Sequence, residues 1–188
     1  AVTTAQQCTA MGRYANMLCT GHQNSSFGYN AGYHTTTGTN NSNFGHGAAP
    51  SSATASNEVT LGNSSVSSLR CNDTSISSLS DRRDKTDITD LTVGLNFLNT
   101  LQPRQFKWQT RDGNGKDGLI RAGFIAQELQ EAQKDCDFLD LVMDTNPEKL
   151  EAKQEHLIPV LVNAVKELST KNDALAAEVE QLKSQLNN

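Results

Sequence analysis

The chain has 188 residues, with 16 Lys and Arg against 21 Asp and Glu and a formal net charge of -5. Such a mildly acidic chain is a poor nonspecific binder of nucleic acid, whose phosphates demand clustered cations. No apolar run approaches the length of a membrane span, and the start, Ala1-Val2-Thr3-Thr4-Ala5, has neither the basic residues nor the apolar stretch of a secretory signal. It also lacks an initiator Met, so the chain reads as the C-terminal piece of something longer.

Residues 1–79 are dominated by Ser, Thr, Asn, Gly and Ala, and their only charges are Arg13, Glu58, Arg70 and Asp73. Polar tracts of this kind are often disordered linkers. A repeat argues against that here. Thr20 to Gly28 aligns with Thr37 to Gly45 at an offset of 17 residues, and a further 17 brings a degenerate copy, Thr54 to Gly62. Met11-Gly12 fits as an earlier copy, one residue out of step. Each unit offers one apolar residue followed by Gly. One such anchor per 17 residues is too little for a core within one chain, so the repeat is expected to stack on neighbours. Three chains around a common axis would supply them, with Phe27, Phe44 and Leu61 pointing inward and the adjacent glycines admitting close backbones.

The cysteines, Cys8, Cys19, Cys71 and Cys136, form no C-x-x-C pair and read as free thiols made in a reducing cytoplasm. His22, His34, His46 and His156 have no ligand spacing. Neither a metal nor a cofactor is expected. There is no Gly-rich phosphate loop, and the acidic residues are scattered as on solvated faces, which speaks against a small-molecule enzyme.

Composition changes abruptly near residue 80, after which nearly all the charge is found. Phe106 to Trp108 alternates like a short strand, and Arg111 to Gly118 reads as a turn or loop. Leu119 to Ile125 is an apolar run, Ala126 to Ala132 reads as helix, Phe138 to Met143 as a further strand, and Asn146-Pro147 as a break. Over residues 157–188, Leu161, Val165, Leu168, Asn172, Leu175, Val179, Leu182 and Leu186 recur at spacings of 4 and 3. That is the seam of a coiled coil, with Val165, Asn172 and Val179 at a, Leu168, Leu175 and Leu182 at d, and Glu178 and Lys183 placed to pair between chains.

The boundary itself reads Leu79-Ser80-Asp81-Arg82-Arg83-Asp84-Lys85-Thr86-Asp87-Ile88. Taken alone, Ser80 reads as a helix N-cap with acidic residues in the first turn. In context the stretch resembles the signature of the phage endosialidase-type C-terminal chaperones, a self-cleaving peptidase family, whose pattern is roughly Ser-Asp-x-Arg-x-Lys-x-Asp-Ile. Ser80, Asp81, Arg83, Lys85, Asp87 and Ile88 all match. The likeness continues in order through the Leu-rich segment at Leu91 and Leu95 to Leu101, the turn and strand at Pro103 to Trp108, and Gly123-Phe124-Ile125-Ala126-Gln127-Glu128-Leu129. It ends with Leu157-Ile158-Pro159 and Ala164 to Leu168, which resemble the family's lead-in to a terminal coiled coil. Arg82, Asp84 and Gln154 depart from it, standing where the family has apolar residues or Tyr.

The resemblance implies cleavage between Leu79 and Ser80, with Ser80 as nucleophile and Lys85 as general base, in a single turnover within the chain. A Ser hydroxyl is a weak nucleophile until a base takes its proton. Lys is a base only when neutral, which burial or nearby cations favour; Arg82 and Arg83 are candidate cations, while Asp84 and Asp87 would push the other way. The expected fold class is α+β in a homotrimer. Residues 1–79 would be the end of a trimeric β-repeat fibre, and residues 80–188 a mixed α/β chaperone and autoprotease domain ending in the coiled coil. The expected setting is a viral tail fibre or tailspike, made in the host cytoplasm and carried on the virion, with the chaperone part released. The competing reading is a trimeric fibre tip that never cuts and binds a host receptor.

Overall fold

The computed structural model describes residues 5–73, 75–111 and 113–186. Residues 1–4 and 74 of the expected fibre, residue 112 of the expected loop and residues 187–188 of the expected coiled coil lie outside the described residues. The chain forms two compact units. The first comprises residues 1–72, 105–121 and 143–150, and the second residues 73–104, 122–142 and 151–188.

In the first unit the repeat becomes a stack of coils. Each coil contributes one three-residue strand: β1 (Thr9–Met11), β2 (Ser25–Phe27), β3 (Ser42–Phe44) and β4 (Val59–Leu61). The strands pair in parallel in that order, with Met11, Phe27, Phe44 and Leu61 in register. The ladder continues beyond them, from Gly28 N–H to the Met11 carbonyl at 2.8 Å and from Gly45 N–H to the Phe27 carbonyl at 2.8 Å. Gly28 has φ +135°, and a β-carbon there would land 2.7 Å from the Gly45 carbonyl group. Gly is therefore required where one coil turns beneath the next.

The stacking corrects one expectation. One apolar anchor per repeat is enough within a single chain, because the core is built from other residues. Ala15, Cys19, Ala31, Ala48 and Ala55 are buried together with Asn16, Asn24, Ser26, Thr35, Asn41 and Asn43. The asparagines serve as both filler and ladder. Asn24 Oδ1 accepts the Asn41 N–H at 3.0 Å, and Asn41 Oδ1 accepts the Glu58 N–H at 3.0 Å, one coil further on. Their amide nitrogens donate to the carbonyls of Gly38 and Ala55, both at 2.8 Å. A buried amide costs little when its donors and acceptors are met. Phe27, Phe44 and Leu61 stand on the other side of their strands from this core. Phe27 and Phe44 stack with centroids 5.5 Å apart, and Met11, Phe44 and Leu61 are exposed.

Two later segments belong to this unit. Residues 105–107 of β5 (Arg104–Lys107) and 120–121 of β6 (Ile120–Gly123) fall in it, and Trp108 N–H continues their pairing to the Leu119 carbonyl at 2.9 Å. Asn146 Nδ2 donates to the Ser51 carbonyl at 2.6 Å.

The second unit has a conventional apolar core of Leu101, Leu129, Leu139, Leu141, Leu157, Val160 and Ala164. Its elements are α1 (Leu95–Leu98), α2 (Ala126–Ala132), the first residue of the short strand β7 (Val142–Met143), the short strand β8 (Glu151–Ala152), and the long α3 (Ile158–Leu186). The Leu-rich segment yields only one short helix, and the strand expected over Phe138 to Met143 is in part a 3-10 turn at Asp137–Leu139. Asp140 follows it with φ +48°, which breaks the extended backbone. No helix among the described residues is long and apolar enough to cross a membrane.

Helix α3 has two apolar faces with different fates. Leu157, just before it, together with Val160 and Ala164, enters the core. The 4–3 seam stays open: Leu161, Val165, Leu168, Leu175, Val179, Leu182 and Leu186 are all exposed, Leu175 by 60%. Within the chain Lys183 pairs with Glu180 at 2.7 Å.

Candidate functional site

Ser80 and Lys85 meet across a single tight turn. Arg82–Asp84 form one turn of 3-10 helix, and the Lys85 N–H closes it on the Arg82 carbonyl. Lys85 itself returns to extended backbone, φ -131° and ψ 141°, which sends its side chain back towards Ser80. Lys85 Nζ reaches Ser80 Oγ at 2.5 Å and the Ser80 carbonyl oxygen at 3.2 Å.

The cap of this turn is Asp81, not Ser80 as the local sequence alone reads. Asp81 Oδ1 accepts the Arg83 N–H at 2.8 Å. The same carboxylate holds the Arg83 guanidinium, with Oδ2 at 2.7 Å from Nη2 and Oδ1 at 3.1 Å from Nε. The Arg83 side chain, and then its N–H, hold the Asp81 carboxyl below its ordinary range. Of the two candidate cations, Arg83 is therefore already compensated by Asp81. Asp81 leaves the Ser80 hydroxyl free for the lysine.

Residues 75–90 are exposed throughout, and Leu79, on the other side of the candidate scissile bond, is 99% exposed. The backbone on that side belongs to no regular secondary structure. Asp87, just beyond Lys85, adopts φ +50°, so the chain turns sharply before running on towards Leu91.

What anchors the far end of this segment was not evident from sequence. Asn163 Nδ2, on α3, donates to the Leu91 and Val93 carbonyls, both at 3.0 Å. Glu167 Oε2, one turn further along α3, accepts the Leu95 N–H at 3.0 Å and so satisfies the start of α1. Asn163 and Glu167 thereby tie the stretch leading away from Lys85 to the helix that carries the open seam. Glu167 lies within the Ala164 to Leu168 segment and Asn163 adjoins it, but nothing in that pattern distinguishes an inward polar side chain from a solvated one.

The Gly123 to Leu129 segment also acquires a physical role. Glu128 on α2 makes a two-pronged contact with Arg104, at 2.8 Å to Nη2 and 3.0 Å to Nε. Hydrogen bonding to Arg104 lowers the Glu128 carboxyl below its ordinary range. Leu129, the next residue, is buried in the core. The histidines go to structural contacts: His22 Nδ1 accepts the Gln6 N–H at 3.0 Å, and His46 stacks on Tyr29 with centroids 5.4 Å apart.

Comparison with known proteins adds one finding. The sequence profile of a peptidase family described as chaperone of endosialidase matches residues 80–138. No curated protein and no solved structure matches the chain. The match starts at Ser80, the serine that Lys85 reaches, and over residues 80–138 the chain is similar to the endosialidase-chaperone family.

Proposed function

We propose that this chain carries an intramolecular chaperone that assembles the upstream coils and then frees itself by cutting between Leu79 and Ser80. The observation that carries the reading is the contact of Lys85 Nζ with Ser80 Oγ at 2.5 Å, made at the first residue of the family match.

The chemistry follows from the two side chains. Neutral Lys85 takes the Ser80 hydroxyl proton as Oγ attacks the Leu79 carbonyl carbon. The tetrahedral centre collapses with loss of the Ser80 nitrogen, to which Lys85 returns the proton. The chain is then held by an ester between Leu79 and Ser80 Oγ. Water hydrolyses that ester, leaving a carboxylate on Leu79 and a free hydroxyl and amine on Ser80.

Both side chains are exposed in the single chain, whereas a lysine base works best shielded from water. Assembly would supply that shield. The open seam from Leu161 to Leu186 fits a coiled coil between copies of the chain, in a homotrimer if the upstream fibre sets the number of strands, since Val at a with Leu at d by itself leans towards two; assembly would bring the copies of the site together and set their register. Stacked coils make many long-range contacts and nucleate slowly, so a removable clamp would speed folding. Its loss afterwards would leave the coils kinetically trapped. The setting is a viral tail fibre or tailspike.

Expression of the full chain with Ser80→Ala or Lys85→Ala tests the reading. Each variant should run as one band on a denaturing gel, while the parent chain yields residues 1–79 and residues 80–188. Cleavage at Leu79 in both variants would remove the dyad.

A second reading, a fibre tip that binds a host receptor, draws on one observation. Tyr14, Tyr29 and Tyr33 cluster edge to face on the coils, with Arg13 lying 4.6 Å over the Tyr14 ring. Binding of the cut protein to host cells, lost with Tyr14→Ala and Tyr29→Ala, would support it.

A further inference from the structure

Cys8 and Cys19 are separated by β1 and the turns that follow it, yet their sulfurs converge. Cys8 Sγ lies 3.5 Å from the Gly21 carbonyl oxygen, and Cys19 Sγ lies 3.4 Å from the same atom. Asn24 touches both, through its N–H to Cys8 Sγ at 3.4 Å and its Nδ2 to Cys19 Sγ at 3.2 Å. Cys19 is 1% exposed, while Cys8 is half-buried. The spacing of the cysteines gave no reason to pair them. The first coil does.

We propose that Cys8 and Cys19 are a redox-convertible pair that closes to an intrachain disulfide when the folded protein meets a low-molecular-weight disulfide outside the reducing cytoplasm. Cys8, the accessible member, attacks one sulfur of the oxidant as its thiolate, forms a mixed disulfide and releases one small thiol. Cys19 then attacks the Cys8 sulfur and expels the second small thiol. Two protein thiols lose their protons, and two electrons pass to the oxidant, which ends as two thiols. Burial first, and the neighbouring Cys8 second, push the Cys19 thiol pKa up, so Cys19 is held protonated until the mixed disulfide is presented to it. The product ties the lead-in of β1 to the turn that follows it, which keeps the first coil from fraying off the stack.

The test uses the full chain carrying Cys71→Ser and Cys136→Ser, folded and exposed to oxidised glutathione, with intact mass and peptide mapping as readouts. The expected product is lighter by two hydrogens, retains no glutathione and yields one peptide pair joined through Cys8 and Cys19. Adding Cys19→Ser should trap one glutathione on Cys8. The proposal is overturned if the folded chain keeps both thiols while the urea-unfolded chain is oxidised under the same conditions. It is equally overturned if glutathione stays on Cys8 with Cys19 present. Far-UV circular dichroism before oxidation verifies that each variant is folded. None of these readouts depends on cleavage at Ser80.

Discussion

Lys85 Nζ lies 2.5 Å from Ser80 Oγ, and the turn that joins them contains only Asp81 to Asp84. The pair is therefore local. It can form in each chain as soon as one 3-10 turn closes, before any long-range contact. What the turn does not provide is shelter, since every residue of it is exposed. Geometry from the turn and shielding from assembly would make cleavage report on completed folding.

Lys85→Arg separates basicity from charge. Arginine keeps the cation and can still donate to Ser80 Oγ, but it cannot lose its proton in a protein. Cleavage should slow by about 10²–10⁴-fold, the usual worth of a general base. A time course of band splitting after refolding measures it. Near-parental rates would show that Lys85 acts as a hydrogen-bond donor only.

Asp81→Asn keeps an acceptor for the Arg83 N–H while weakening the hold on the guanidinium. Cleavage should slow several-fold but persist. The carboxyl is depressed by Arg83, so its contribution to the turn is present above the ordinary Asp value of 3.8 and is lost as pH falls through the lowered native value. Between pH 5 and 8 the Asp81 contact should therefore impose no titration of its own on the cleavage rate.

Asn163→Ala leaves the Leu91 and Val93 carbonyls without the amide that joins them to α3. Each part-buried group left unmet costs about 1–3 kcal/mol. The melting temperature should fall by several degrees, and cleavage should slow although Asn163 touches neither Ser80 nor Lys85. Asn163→Asp, with an acceptor facing two carbonyls, should be worse than Ala.

Asn41→Ala removes a rung of the amide ladder, orphaning the Glu58 N–H and the Ala55 carbonyl. The loss should be about 1–3 kcal/mol for each group left unsatisfied, read as a lower denaturation midpoint of the coils. Asn41→Leu should not rescue it, because size does not replace the two hydrogen bonds.

Leu175→Asp together with Leu182→Asp puts charge into the open seam. The double variant should sediment as a monomer and fail to cleave. A monomer that still splits at the parental rate would separate the chemistry from assembly.

The sequence by itself determined what is local or periodic. The 17-residue offset placed Phe27, Phe44 and Leu61 in one register, because a parallel stack repeats its side chains at the repeat length. The 4–3 pattern marked α3, the composition break marked Ser80, and the ordered motifs marked the family. That Ser80 and Lys85 can meet was legible because a tight turn spans their separation, while their roles came only from the resemblance. Tertiary structure decided the rest. Only the closed coil shows that asparagines and alanines, not the phenylalanines, form the interior, since polar residues enter a core wherever their hydrogen bonds are met. Asn163 and Glu167 stand outside the seam, and only the fold brings the Leu91 to Leu95 backbone against them. Cys8 and Cys19 likewise became a pair only when the first coil closed around Gly21. Each of these rests on a carbonyl or amide delivered from another part of the chain, and sequence spacing carries no information about where such a group will arrive.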